Sequence, residues 1–138
     1  YAELWAFSHA YYAVLRSHPH VLPLVATRQV QTPAALAVLE RLLTAIHRAH
    51  IQGVQAIYTL NNLAGYLIGH ALLDVGITPG MSASTELSGP QAWQRLPAEQ
   101  FPTLRASVPD LEQWNADQEL DAGLRALLQC VATPEKGA

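Results

Sequence analysis

Six histidines, one cysteine and a short run of carboxylates are the side chains of this 138-residue chain that could do chemistry. His47 and His50 stand three residues apart and could hold a metal together from one turn of helix. No Glu-x-x-His or His-x-x-x-His pattern accompanies them, so they read as the solvated C-terminal end of a helix, where cations suit the dipole. His18 and His20 flank Pro19 and share no helix face. His9 and His70 lie on largely apolar helices and read first as core or interface histidines, second as ligand contacts. Cys130 has no basic neighbour in sequence and reads as a small buried hydrophobe rather than a nucleophile. Ser8 and Ser17 lack a nucleophile-elbow context. Asp117, Glu119 and Asp121 sit near a helix start, where acidic residues suit the dipole. No glycine-rich phosphate loop is present. The expectation is a protein that is not an enzyme, with no cofactor and no metal.

Amides carry the more specific signal. Residues 53–75 read GVQAIYTLNNLAGYLIGHALLDV, a helix that is apolar nearly all round yet holds Asn61, Asn62, Gly65 and Gly69. Each interior Gly costs roughly 1 kcal/mol of helix stability relative to Ala. An all-round apolar helix is buried on more than one side. The helix is therefore expected to pack within its own subunit and against a second copy or a ligand. Adjacent helical residues point about 100° apart, so Asn61 and Asn62 face different surroundings: one could point into a cavity and the other toward a partner helix, the alternative being that one is simply exposed at a groove. Tyr11, Tyr12, Tyr58, Tyr66, Trp5 and Phe7 could line an apolar pocket with a few polar handles; each taken singly is equally a core residue.

The other elements follow from periodicity and punctuation. Leu4, Phe7, Tyr11, Val14 and Leu15 make residues 1–18 an amphipathic helix that Pro19 ends. A short second helix over 21–29 breaks near Pro23. Thr32-Pro33 is an N-cap followed by a helix-starting proline, and Leu36, Leu39, Leu42, Leu43 and Ile46 give the third helix, 33–50, its stripe. Gly53 separates it from the fourth. Residues 76–89 read as a loop. A fifth helix over 92–105 is interrupted at Pro97 and Pro102, with a turn about Pro109. The last helix starts near Asn115 or Asp117 with capping-box spacing to Gln118, carries Leu120, Leu124, Leu127, Leu128 and Val131, and stops at Thr133-Pro134. The class is all-α: five or six helices in antiparallel or orthogonal packing, one domain over 1–138.

Half the residues are hydrophobic and only 14% are charged, against about 25% in soluble domains. That favours an oligomer with a large apolar interface. Eight Lys and Arg without a cluster, at net charge −3, do not make the basic face of a nucleic-acid binder. One cysteine allows no internal disulfide and suits a reducing compartment. No apolar run reaches the ~18 residues of a membrane span, so the expected location is cytoplasmic. The chain opens on Tyr1 in what reads as mid-helix, which predicts a missing N-terminal part.

The order of elements resembles a known family. SHPHVLPLVATR (17–28), a Pro-started helix with LERLL (39–43), AIYTLNNLAGYLIGHALLD (56–74) and a closing AGLRALLQCV (122–131) are similar to the C-terminal regulatory domain of the tetracycline-repressor (TetR) family of transcriptional regulators. Within that family, the class of tetracycline repressor itself is nearest. His18-Pro19, Thr27-Arg28, the Gly69-to-Asp74 stretch and Gly123-Leu124 are the most specific pieces. The resemblance implies an effector cavity, and a homodimer formed when the fourth and last helices build a four-helix bundle with the partner. It also implies operator DNA contacts made only through an N-terminal helix-turn-helix domain outside this chain. Carried over, the pocket positions are Ile57, Leu60, Asn61 and Ala64 from the fourth helix, Leu39 and Leu42 from the third, and Leu24 and Thr27 from the second. His9 and Tyr12 are further polar handles. Asn62, Gly65, Gly69 and Leu72, with Leu120, Leu124, Leu127 and Leu128, are the expected dimer contacts. The family's magnesium-ligating histidine falls at Leu24, its partner-supplied carboxylate at Leu73 and its drug-contacting glutamine at Leu42. Magnesium-tetracycline is therefore not the expected effector; a hydrophobic or aromatic molecule is. The expected function is effector sensing and dimerisation in a repressor released from DNA by its ligand. The alternatives are a ligand-free dimerisation module and, last, a helical metal-binding or enzymatic domain.

Overall fold

A computed structural model describes residues 1–27, 32–76 and 90–132, apart from the side chains of Pro90 and residues 130–132. Among the described residues there are eight helices and no strand. The longest, α4 (Val54–Asp74), is the one on which the others assemble: α1 (Ala2–Ser17), α2 (Leu22–Thr27), α3 (Pro33–Arg48) and α8 (Ala116–Ala132) all pack against it. Its inward positions are Ala56, Thr59, Leu63, Leu67, His70 and Ala71, the 3-and-4 spacing that keeps side chains on one face.

Each neighbour supplies a stripe of its own. Leu4, Ser8, Tyr12 and Leu15 are buried from α1, and Leu42, Ala45 and Ile46 from α3. Leu120, Leu124 and Leu128 are buried from α8. The two buried hydroxyls satisfy themselves within their helices. Ser8 Oγ donates to Leu4 O at 2.8 Å and Thr59 Oγ1 to Gln55 O at 2.8 Å, so neither adds an unpaired polar group to the core.

Helix ends follow the expected chemistry at two points. Ala35 N donates to Thr32 Oγ1 at 3.3 Å, and Gln118 N donates to Asn115 Oδ1 at 3.0 Å. The prolines act differently from the sequence expectation. Pro23 lies in the first turn of α2 and does not break it, because a first-turn residue has no intrahelical N–H bond to lose. In place of one interrupted helix over 92–105, three short ones form: α5 (Pro90–Gln94), α6 (Pro102–Ala106) and α7 (Val108–Glu112). Pro102 and Pro109 begin helices, so the helix count exceeds the expected five or six. α3 stops at Arg48, and His50 takes φ +64°; His47 and His50 therefore share no helical face. The expected loop over 77–89, the Gln29 end of the second helix and the Cys130 and Val131 side chains lie outside the described residues.

The tightest approach in the fold involves Gly123. A Cβ there would overlap the Tyr66 phenol, whose hydroxyl donates to the carbonyls of Glu119 at 3.0 Å and Leu120 at 3.3 Å. Gly123→Ala gains roughly 1 kcal/mol of helix propensity but displaces that ring, at a cost of about 1–3 kcal/mol. Urea denaturation is expected to show a net loss of stability. By contrast, a Cβ at Gly65 or Gly69 meets nothing within 4 Å among the described residues, so Gly69→Ala is expected to leave the isolated subunit as stable or more so.

Candidate functional site

Three features of the fold could carry function: a buried aromatic and polar junction, an open face on α4, and a cleft beside α1. The junction forms where the ends of α1 and α4 meet the start of α8. Tyr12 Oη donates to Asp74 Oδ2 at 3.1 Å, and Arg16 Nε reaches the same oxygen at 2.9 Å. Arg16 also donates through Nη1 to Asp117 Oδ1 at 3.0 Å. Beside it His70 lies between two tyrosines, stacked on Tyr66 with ring centroids 5.6 Å apart and tilted against Tyr12 at 5.3 Å. His70 Nε2 lies 3.0 Å from the carbonyl of Ala116. A carbonyl only accepts, so the proton sits on Nε2. Its Nδ1 stands 3.9 Å from Glu119 Oε2, beyond a hydrogen bond, and that carboxylate accepts from Trp114 Nε1 at 2.7 Å.

Tyr12, Arg16, Asp74 and Asp117 are paired with each other and His70 Nε2 with Ala116, which makes the junction a fastener between α1, α4 and the start of α8. Among the described residues no set of three or more His, Cys, Asp or Glu is placed to hold a metal ion. Tyr12 is buried, and its phenol is pushed from 10 up to about 12, first by desolvation, then by the hydrogen bond and negative charge of Asp74.

The open face belongs to α4. Val54, Ile57, Tyr58 and Leu73 are exposed, Leu73 by 74%, and Asn61, Asn62 and Gly65 are exposed among them. Gly69 and Leu72 are half-buried at its edge. Ile57 and Asn61 thus share a surface with Asn62 and Gly65. The two amides do not divide between cavity and partner, because both point away from the packed side of the helix.

The cleft lies at the C-terminal end of α1. Tyr11, Val14, Leu15 and His18 form one wall and Val21, Leu22 and Val25 the other, around a volume of about 270 Å³. Phe7 stacks on Tyr11 with centroids 6.0 Å apart. Burial raises the Tyr11 phenol above its usual value of 10.

The expected pocket residues do not converge. Leu42 is buried and Leu60 packs on the core, while Leu39 and Ala64 are half-buried. Leu24 and Thr27 are exposed, and Thr27 Oγ1 donates back to Pro23 O at 2.6 Å. Of the further polar handles, both Tyr12 and His9 face a carboxylate of their own subunit. Tyr12 is held by Asp74, and His9 Nε2 lies 3.0 Å from Asp121 Oδ1, an ion-pair approach off hydrogen-bond alignment. The assignment of the last helix to the partner is corrected in part. Leu120 and Leu124 are 1% and 0% exposed within their own subunit and Leu128 is buried with them, so they have no surface left for a second copy. Leu127 is half-buried against the same core.

Residues 1–134 match the family described as "Tetracyclin repressor-like, C-terminal domain". The chain belongs to this family. Neither curated proteins nor solved structures returned a match. A TetR-type C-terminal domain is a ligand-binding and dimerisation domain of a transcriptional regulator, and no helix among the described residues is long and apolar enough to cross a membrane.

Sequence reasoning missed the Arg16–Asp74 pair and the Tyr66–Gly123 contact. Asp74, the only acid in the fourth helix, was the available hint for the first. Nothing local marked the second, since its partners are 57 positions apart by their residue numbers (123 − 66). For Tyr12 the linkage has a definite sign. Its folded value lies above its unfolded one, so its contribution is whole below about pH 10 and is lost as pH rises toward 12. Tyr12→Phe is expected to be less stable than the parent at neutral pH and to lose less stability on going from about pH 9 to about pH 12; denaturant titrations across that window measure the difference.

Proposed function

We propose that this TetR-type domain senses a small apolar or aromatic effector and joins two copies of the chain into a homodimer. The regulator it serves would be a cytoplasmic repressor released from its operator when the effector binds. The observation that carries the dimer half of this reading is the open face of α4. Four large apolar side chains, and two glycines at which an added Cβ would meet no described residue within 4 Å, lie along one helix. Exposed apolar patches of this kind mark interaction surfaces. Glycines without Cβ neighbours let a second backbone come close. The proposed contacts are Val54, Tyr58, Asn62, Gly65, Gly69, Leu72 and Leu73, with Ile57 and Asn61 at the margin.

Sensing would proceed by population shift: the effector favours an arrangement of the dimer whose DNA-reading heads no longer match the operator. The domain itself would carry no catalysis, and operator contacts would come from a separate helix-turn-helix domain. A second reading, a dimerisation module without an effector, is favoured by one observation. Leu42 and Leu60 fill the core between α3 and α4, while Thr27 and Asn61 lie outside it.

Two measurements test the proposal. Gly65→Leu is expected to leave the helical content unchanged and to convert a dimer to a monomer by light scattering; an unchanged dimer mass would reject the α4 interface. A thermal-shift screen of neutral aromatic compounds, followed by operator binding of the full-length regulator with and without each hit, separates the readings. Hits that weaken operator binding support sensing, and the absence of any hit supports the effector-free module.

A further inference from the structure

The cleft beside α1 is not among the positions that the family resemblance assigns to the effector. Its walls are aliphatic: Val14 and Leu15 face Val21, Leu22 and Val25. Two polar groups interrupt them, Tyr11 and His18, and their hydrogen-bonding roles can be fixed from their neighbours.

His18 Nδ1 lies 3.0 Å from the carbonyl of Val14 and 2.8 Å from Ser17 Oγ. Ser17 spends its own proton on the same carbonyl at 2.8 Å. Both groups facing Nδ1 are therefore acceptors, and the ring proton sits on Nδ1. Nε2 is left as a lone-pair acceptor with no partner among the described residues. Tyr11 is the complement. Its ring is held by Phe7, its hydroxyl has no partner among the described residues, and burial keeps that hydroxyl protonated. The cleft thus offers one acceptor and one donor on an apolar lining. Among the described residues no Asp, Glu, Lys or Arg lines it.

Size narrows the occupant. A cavity of about 150 Å³ suffices for benzene; this cleft is open to solvent along Val14, His18 and Val21, and its volume of about 270 Å³ gives room for one or two fused rings. A hydroxyl on such a ring can give its proton to His18 Nε2 and accept from Tyr11 Oη. A carboxylate could accept from Tyr11 but would meet the His18 lone pair, and no Lys or Arg among the described lining residues would pair with it.

We infer that the α1–α2 cleft binds a neutral, hydroxyl-bearing aromatic molecule of one or two rings, held between Tyr11 and His18. This rests on the effector-sensing reading for its biological use, and on the cleft's own chemistry for its ligand class. Arg16, one residue on from Leu15 of the cleft wall, ties α1 to Asp74 of α4 and Asp117 of α8.

The test is titration of the chain with 2-naphthol, 2-methylnaphthalene and 2-naphthoate, followed through valine and leucine methyl resonances. 2-Naphthol is expected to shift the methyls of Val14, Val21 and Val25. It should bind about three- to tenfold more tightly than 2-methylnaphthalene, the worth of one or two neutral hydrogen bonds, with 2-naphthoate weaker than 2-naphthol. Tyr11→Phe is expected to reduce the preference for 2-naphthol while leaving 2-methylnaphthalene unaffected. Equal affinities for 2-naphthol and 2-methylnaphthalene, or tighter binding of the carboxylate, overturn the ligand class. Shifts confined to Leu39, Leu42 and Leu60 overturn the cleft as the site and leave the sensing reading standing. Shifts in the cleft, with operator affinity of the full-length regulator unchanged by the same compound, uphold the cleft and remove the sensing reading. No binding of any of the three overturns the cleft proposal.

Discussion

Burial of one face of α4 is the constraint on which the rest of the structure depends. Leu63, Leu67 and Ala71 are essentially inaccessible, and α1, α2, α3 and α8 all rest on the helix that carries them. A fully buried leucine is worth about 1.5–3 kcal/mol, so this stripe holds the four neighbours more firmly than the exposed ion pairs do. Arg48 and Glu3 join α3 to α1 at 2.8 Å, but both are largely exposed, and such a pair contributes about 0–1 kcal/mol. The opposite face of α4 is released from packing by that arrangement. The helix is held from one side while its other side stays exposed.

Polar groups then set how the helices are registered. Apolar packing tolerates sliding, whereas hydrogen bonds with defined angles do not. Tyr66 reaches two carbonyls of α8 across Gly123, His70 reaches the Ala116 carbonyl, and Arg16 spans Asp74 and Asp117. Together they fix the start of α8 against α4 and the end of α1. The same end of α1 forms a wall of the cleft. Cleft, junction and α4 thereby adjoin one another through consecutive turns of α1 and α4.

Much of this was legible before any coordinates. The 3-and-4 spacing of leucines placed α1, α3, α4 and α8, and Thr32 and Asn115 marked two helix starts through local hydrogen bonds that need no tertiary context. Asn61, Asn62 and Gly65 of α4 share its exposed face, which their spacing alone did not reveal. Proline was read less well. At Pro102 and Pro109 it signalled a start instead of an interruption, since its fixed φ suits the first turn as well as it spoils the interior. His50 likewise left the helix through a left-handed turn that spacing alone does not reveal.

The sequence by itself determined an all-α fold, the position of its long helices and its family, because helical periodicity, caps and motif order are encoded within short stretches of chain. Only the tertiary structure decided which way each face points. Leu120 and Leu124 turned inward, Ile57 and Asn61 turned outward, and Tyr12 was taken up by Asp74 rather than left for a ligand. The physical reason is that amphipathicity identifies an apolar stripe but not its partner. When a helix such as α4 is apolar nearly all round, the choice between core and open face is made by the neighbours that reach it. Those neighbours come from parts of the chain tens of residues away.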